Sequence, residues 1–168
     1  MKPAKKQPKR LSVKRVKTLL TGAGIPEWVI RAPDRFYILP SRDFLTHWFA
    51  RSLRAHLSRY GVLDYSPGVN DCDDFARYAC AHAAMVHTRD SSRTRSGKKI
   101  SAALAIAEIW YNDAKLGKHA TFIALADDLG IVRLDRVKTI WRRQKSIQIR
   151  ERPISKNELQ SVLFCRLG

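Results

Sequence analysis

A cysteine stands among three carboxylates near the middle of this sequence, and a histidine follows it 47 residues later. The cysteine is Cys72, in the segment NDCDDFA at residues 70–76, and the histidine is His119. A thiol and an imidazole can serve as a nucleophile and its base. The acids oppose this chemistry, because nearby negative charge favours the neutral thiol over the thiolate. A helix N-terminus, an imidazolium or a bound cation must therefore offset them.

The pattern around these residues predicts an α+β fold. A helix with a 3.6-residue apolar stripe is expected over residues 42–60, after Ser41 as its N-cap, and a second from Asp71 to about Val86. Strands are expected over residues 104–111, 119–125 and 131–135. Helices followed by an antiparallel meander are typical of α+β domains. Cys72 then begins a helix, where free N–H groups favour a thiolate, and His119 begins a strand.

The two ends of the chain are less regular. Residues 1–10 are predicted to be a disordered basic arm, followed by a short helix from Ser12 through Leu20. Residues 36–39 are expected to form a strand, and residues 155–164 a closing helix. Residues 139–141 and 146–149 could be strands. The predicted organisation is a basic arm with a short helix at 1–20 and a single α+β domain at 21–168.

Positive charge is the second strong feature of the sequence. The net charge is +17, and residues 1–26 contain eight Lys or Arg and no acid. Clusters of this kind attract phosphate polymers, although a solvated basic surface is the simpler interpretation. We expect nucleic acid or another polyanion as a partner, bound by Lys5, Lys6, Lys9, Arg10, Lys14, Arg15, Arg93, Arg95, Lys98, Lys99, Arg142 and Arg143.

The apolar and cysteine content restrict the class of protein further. No apolar run approaches the ~20 residues that span a bilayer, and the basic N-terminus lacks the apolar segment of a signal peptide. Three cysteines without CxxC spacing make a disulfide framework unexpected. We therefore expect a cytoplasmic protein without a membrane partner, located in a host cytoplasm or packaged in a phage particle.

The segment DCDDFA at residues 71–76 resembles the motif DC[DE]D[FY]A of bacterial transglutaminase-like cysteine proteinases. It is also similar to the papain-like protease domain of a mushroom agglutinin and its bacterial and phage relatives. The order of elements agrees over roughly residues 36–141. The resemblance implies a papain-like fold and a triad of Cys72 as nucleophile, His119 as general base and Asp135 as the third member. Asp135 is followed by Arg136, which matches neither branch of the family.

The acids beside Cys72 have two interpretations. Carboxylates in the first turn of a helix are favoured by its dipole, which alone can explain them. The resemblance implies calcium in this position, and carboxylate oxygens suit Ca²⁺. Asp73 and Asp74 are then the expected ligands, while no cofactor is required for the thiol chemistry itself.

Two functions follow as expectations. The first is a cysteine hydrolase, a peptidase before an amidase or transglutaminase, acting on a protein or peptide through the Cys-His-Asp triad and bound to nucleic acid by its basic clusters. The second is a catalytically inactive papain-like scaffold that serves as a virion structural or nucleic-acid-binding protein, with an assembly partner in a phage particle.

Overall fold

The computed structural model describes residues 9–64, 71–91, 102–113, 115, 117–141 and 144–168. Its elements follow in chain order: β1 (Lys9–Ser12), α1 (Val13–Ala23), a 3₁₀ turn (Glu27–Val29), β2 (Ile30–Arg31), β3 (Phe36–Leu39), a π-helical segment (Phe44–Phe49), α2 (Ala50–Arg59), α3 (Cys72–Ser91), β4 (Ala103–Leu104), β5 (Ile106–Asp113), β6 (Gly117–Leu125), β7 (Ile131–Trp141), β8 (Gln144–Arg152), α4 (Lys156–Gln160) and β9 (Phe164–Leu167).

The strands form two sheets. The larger sheet has the order β2-β9-β5-β6-β7-β8, and the smaller has the order β1-β3-β4. Strands β5, β6, β7 and β8 pair antiparallel with their neighbours, as does β9 with β5. The short pairs β2 with β9 and β3 with β4 are parallel. The α+β class predicted from the order of elements is therefore confirmed.

Two apolar clusters cover the two faces of the larger sheet. On one face, Val16 and Leu20 of α1 pack with Ile109 of β5 and Ile123 of β6. On the other face, α2 and α3 pack against the alternate residues of the same strands. This second cluster contains Leu45, Phe49, Ala50, Leu53, Leu57, Phe75, Ala79, Ala83, Ile106, Phe122, Ala124, Ala126, Val132, Leu134 and Ile149. Because strand residues alternate between faces, neighbouring residues of β6 serve different clusters.

Most helices and strands lie where local sequence signals predict them. The Ser12 side chain accepts a hydrogen bond from the Arg15 N–H at 3.4 Å and caps α1. The Ser41 hydroxyl accepts one from the Phe44 N–H at 3.1 Å, at the start of the second helical segment. Gly24, at φ +121°, ends α1 in a conformation that side chains rarely adopt. These capping contacts and this backbone conformation lie within a few residues of each helix end, so they fix the helix ends independently of the rest of the chain.

The two ends of the chain differ from the predictions. Residues 9 and 10, assigned to a disordered arm, pair with Leu39 and Ile38 as part of β1. The expected closing helix is one short helix, α4, followed by the strand β9. Strand β9 lies inside the larger sheet, between β2 and β5. The remaining residues of the predicted arm, 1–8, lie outside the described part of the chain.

No helix within the described residues is long and apolar enough to cross a membrane.

Candidate functional site

Cys72 is the first residue of helix α3, and the packing of that helix fixes its position. Ala76, Ala79 and Ala83 are buried to 2% exposure or less, which allows α3 to approach the sheet closely. The start of the helix therefore lies beside the start of β6. There the backbone N–H of Ala120 donates a hydrogen bond to the Cys72 Sγ over 3.4 Å. A donor aimed at sulfur stabilises its anionic form.

His119 precedes that donor directly and lies against Tyr111 on the neighbouring strand. The two residues are cross-strand partners, and their rings meet edge to face with centroids 5.6 Å apart. Burial lowers the pKa of His119, while the carboxylate of Asp135 acts in the opposite direction. Burial therefore favours the neutral form of His119. Trp110, which precedes Tyr111 on β5, donates its indole N–H to Glu108 over 2.7 Å.

Asp135 lies on β7, on the same face of the sheet as the residues that hold it. Its Oδ1 accepts a hydrogen bond from the Thr121 hydroxyl at 2.5 Å. Its Oδ2 forms an ion pair with Arg133 Nε at 2.5 Å, and Arg133 in turn pairs with Glu158 at 3.2 Å. The two carboxylate oxygens thus contact Thr121 and Arg133 rather than His119. Asp135 acts on the histidine through its charge.

One cavity of about 600 Å³ brings these three side chains together. Its size lies within the ~300–1,000 Å³ range of small-molecule sites. Its lining consists of Cys72, Phe75, Lys118, His119, Ala120, Arg133, Asp135, Arg136, Val137, Lys138, Ile147 and Arg152. The resemblance predicted Cys72, His119 and Asp135 as a triad, and the side chains of all three line this cavity.

The three acids beside Cys72 are not among the residues that line this cavity. One oxygen from each of Asp71, Asp73 and Asp74 lies within 4.8 Å of the others. A hydrogen bond with Asp71, and then burial, raises the pKa of Asp73. Arg77, one turn further along, forms ion pairs with Asp73 at 2.9 Å and with Asp74 at 3.8 Å. Arg77 therefore neutralises part of the charge that opposes a thiolate.

The acidic group has the chemistry that a hard cation needs. Carboxylate oxygens at this spacing are suitable ligands for Ca²⁺. The raised pKa of Asp73 indicates that negative charge is in excess at this point. Asp73 and Asp74, with Asp71 added by the structure, are the residues that could hold such an ion.

Several residues of the site have no distinctive sequence signal. Arg136 donates to the Asp71 carbonyl over 2.8 Å and its guanidinium lies 5.1 Å from the Phe75 ring centre, so it joins β7 to the start of α3. Thr121 and Arg133 hold Asp135. The one available signal is spacing, because residues two apart on a strand share a face, as His119 and Thr121 do.

Four of the twelve predicted polyanion contacts lie in the described part of the chain. Lys9, Arg10, Lys14 and Arg15 are exposed near the start of the chain, and the Arg10 guanidinium lies 3.9 Å from the Phe36 ring centre. Lys5, Lys6, Arg93, Arg95, Lys98, Lys99, Arg142 and Arg143 lie outside the described residues. Other basic residues, Arg77, Arg133 and Arg136, are engaged in contacts within the protein.

Two solved structures are similar to this one in fold, and both are of a lectin. One is the PSL1a–E64 complex, which is 14% identical, with a TM-score of 0.59 over 94% of this chain and 51% of that chain. Another is Polyporus squamosus lectin bound to the human-type influenza-binding epitope Neu5Acα2-6Galβ1-4GlcNAc, which is 13% identical, with a TM-score of 0.58 over 94% and 49%. The chain spans about half the length of each. No family model and no curated protein matches the sequence.

These findings correct the identification made from the DCDDFA motif. The neighbours in fold are lectins, so the identification as a papain-like or transglutaminase-like cysteine peptidase is overturned, together with the papain-like fold name. The physical reason is that the motif is short and locally explained. Acids in the first turn of a helix are favoured by the dipole, and Asp73 pairs with Arg77 one turn later.

The functions and partners that depended on that identification are corrected as well. Cysteine hydrolase or peptidase activity, the phage virion scaffold, and protein substrates or nucleic acid as partners are overturned, since the two similar solved structures are of a lectin, one of them with a glycan bound. Part of the basic charge that favoured nucleic acid forms internal ion pairs instead.

Proposed function

We propose that the cavity is a ligand-binding site in which Cys72 is a nucleophilic thiol. His119 serves as its base, and Asp135 is a positioning residue that stabilises the imidazolium through its charge. The observation that supports this assignment is the cavity itself, which all three side chains line. The N–H of Ala120, 3.4 Å from the sulfur, supplies a further group that stabilises negative charge there.

The chemistry follows from these positions. His119, kept neutral by burial, accepts the thiol proton, and the sulfur attacks an electrophilic carbon of the bound ligand. A carbon–sulfur bond forms while the leaving group departs with its electron pair and takes the proton from His119. The product is a ligand attached to Cys72. Cys80 and Cys165 lie outside this cavity, and burial raises the pKa of each thiol to about 12.

Covalent labelling tests this proposal. The protein is incubated at pH 7.5 with iodoacetamide, and separately with E64, the compound present in one neighbouring structure. Peptide mass spectrometry locates each adduct. We expect iodoacetamide to modify Cys72 first and E64 to give one adduct at the same residue. Cys72→Ser should remove the early adduct, whereas Cys80→Ser should retain it. Equal early labelling of the three cysteines contradicts the proposal.

Carbohydrate binding is the second candidate function. It is supported by the solved structure of the same fold that holds a sialylated trisaccharide. Titration calorimetry with Neu5Acα2-6Galβ1-4GlcNAc, and with Galβ1-4GlcNAc as the neutral control, tests it. Binding of the sialylated sugar that survives Cys72→Ser supports a glycan site independent of the thiol. No heat from either sugar at millimolar concentration contradicts it.

We further propose that Asp73 and Asp74, with Asp71, bind Ca²⁺ beside the thiol. The close oxygens and the raised pKa of Asp73 support a cation at this position. A bound dication offsets the acids and so favours a thiolate at Cys72. Thermal unfolding with calcium and with EDTA tests this. We expect calcium to raise the unfolding temperature of the wild type but not of Asp74→Asn, and equal temperatures in both buffers overturn it.

A further inference from the structure

The cavity around Cys72 has a strongly unequal charge. Five cationic side chains line it, and Asp135 is the one carboxylate among the lining residues. Two of the cations are used within the protein: Arg133 pairs with Asp135 and Glu158, and Arg136 donates to the Asp71 carbonyl. The remaining three are Lys118, Lys138 and Arg152.

These three cations come from three adjacent strands. Lys118 precedes His119 on β6, Lys138 lies on β7 opposite Ile147, and Arg152 lies on β8 opposite Arg133. All three are exposed, and no ion pair engages any of them within the described part of the chain. The acids of the helix start are not among the lining residues, and Arg77 forms ion pairs with Asp73 and Asp74. The open side of the cavity therefore faces solvent with positive charge.

We infer that the ligand of this cavity carries a carboxylate, and that Lys118, Lys138 and Arg152 determine this specificity. The inference rests on the proposed thiol function, because it names the class of ligand that the thiol would meet. A carboxylate near the electrophilic carbon gains attraction from the three cations at the rim and is held with that carbon towards Cys72. A neutral ligand of the same size gains nothing from them.

The expected effect is a modest but measurable preference. A unit charge ~10 Å from another in water interacts by about 0.4 kcal/mol, so three cations together give about a three- to tenfold rate advantage at low salt. Such interactions are screened over about 10 Å at 0.1 M salt. The preference must therefore decline as ionic strength rises, whereas a preference based on shape would not.

Iodoacetate and iodoacetamide form a matched pair of probes, since they deliver nearly the same group to sulfur and differ by one negative charge. The rate of each reagent at Cys72 is measured by peptide mass spectrometry and divided by its rate at the same cysteine in the unfolded chain. We expect the normalised iodoacetate rate to exceed the iodoacetamide rate about three- to tenfold at low salt, and to approach it at high salt.

Substitutions at the rim identify the source of the preference. Lys118→Gln, Lys138→Gln and Arg152→Gln should each lower the ratio of the iodoacetate rate to the iodoacetamide rate at Cys72, a ratio in which any change in the reactivity of the thiol itself cancels. Lys14→Gln, on the exposed surface of α1, is the matched control and should change neither rate. Thermal unfolding at the wild-type temperature shows that the rim variants are folded.

The outcomes separate this inference from the function on which it rests. Fast iodoacetamide labelling of Cys72 without an iodoacetate advantage overturns the carboxylate specificity and leaves the nucleophilic thiol in place. Slow labelling of Cys72 by both reagents, no faster than that of Cys80, overturns the proposed function itself. A salt-independent iodoacetate advantage, or one that survives all three substitutions, overturns the role assigned to the rim.

Discussion

The first turn of helix α3 and its middle contain one cysteine each, eight residues apart, in opposite surroundings. Cys72 lines an open cavity and accepts a hydrogen bond from the Ala120 N–H. Part of Cys80 reaches the surface, yet burial of its thiol, followed by the charge of Glu108, raises its pKa to about 12. One helix thus holds a thiol that lines a cavity and a thiol that is buried in the packing, and position rather than residue type distinguishes them.

The largest change in stability is expected from a substitution in the apolar cluster between helices α2 and α3 and the larger sheet. Phe122 of β6 is fully buried beneath α2 and α3 and stacks on Phe49 with ring centres 5.5 Å apart. Phe122→Ala should lower the free energy of unfolding by about 3–5 kcal/mol, because it removes buried surface and leaves a cavity. Chemical denaturation measures this change.

The control for that variant lies on α3 itself. Met85 is 53% exposed, so Met85→Ala should change the free energy of unfolding by no more than about 0.5 kcal/mol. A similar loss in both variants would show that the buried face of the helix does not hold it against the sheet.

The next largest effect is expected on the reactivity of Cys72 when His119, its proposed base, is removed. His119→Ala should slow alkylation of Cys72 by about tenfold or more, because the thiol then loses its proton acceptor. The wild-type rate should fall with acidification only below pH 6.5, since burial lowers the pKa of His119 from that value. Alkylation rates from pH 5 to 8 provide the measurement.

The matched control is His47→Ala. The His47 side chain is 67% exposed and pairs with Asp43, away from the cavity. Its removal should leave the Cys72 rate unchanged, and the Cys80 rate should be unchanged in both variants. An unaltered Cys72 rate in His119→Ala removes the histidine from the proposed chemistry.

A smaller effect is expected on how the free energy of unfolding depends on pH, through a buried histidine of α3. His82 of α3 is 7% exposed, its Nε2 lies 2.9 Å from the Ser52 hydroxyl, and burial followed by the charge of His56 lowers its pKa. The unfolded chain therefore binds a proton below pH 6.5 that the folded chain resists, and stability is lost as the pH falls. Unfolding free energies from pH 7.5 to 5 should decline less steeply in His82→Gln than in the wild type, with an equal slope as the contrary result.

The smallest change in the free energy of unfolding is expected from substituting one of the acids at the start of α3. The hydrogen bond with Asp71, followed by burial, raises the pKa of Asp73, so the charged form of Asp73 is unfavourable in the fold. Arg77, the ion-pair partner of Asp73, is 55% exposed. Asp73→Asn should therefore stabilise the protein at pH 7 in EDTA, by about 0.5 kcal/mol or less. Chemical denaturation measures it, and a clear destabilisation would mean that the ion pair with Arg77 outweighs the repulsion.

Local patterns in the sequence were sufficient for the helices and for most of the larger sheet. The apolar stripe before Gly61, the caps at Ser12 and Ser41, and the β-prone runs at 36–39, 119–125 and 131–135 all depend on neighbouring residues. Strand β9 was missed because its four residues pair with β2 and β5, which are distant in the chain. Such pairing leaves little trace in a short segment.

The site was predictable in part for the same reason. Cys72 and His119 were singled out by their residue types and Asp135 by the resemblance, and all three line one cavity. The contacts of Arg133 and Arg136 depend on how α3 and α4 lie against β7, which the sequence pattern does not contain. The motif around Cys72 was overinterpreted, because a helix start favours acids in any protein.

The proposed function depends most on Cys72 being the accessible, reactive thiol among the three cysteines. The direct measurement is the iodoacetamide rate of each cysteine in the native protein divided by its rate in the unfolded chain at pH 8. Thiols with a pKa of about 12 carry about one thiolate in ten thousand at that pH. If Cys72 is that thiol, its ratio should be near or above one, and the ratios of Cys80 and Cys165 should be below about one hundredth. A ratio for Cys72 as low as that for Cys80 would contradict the proposed function.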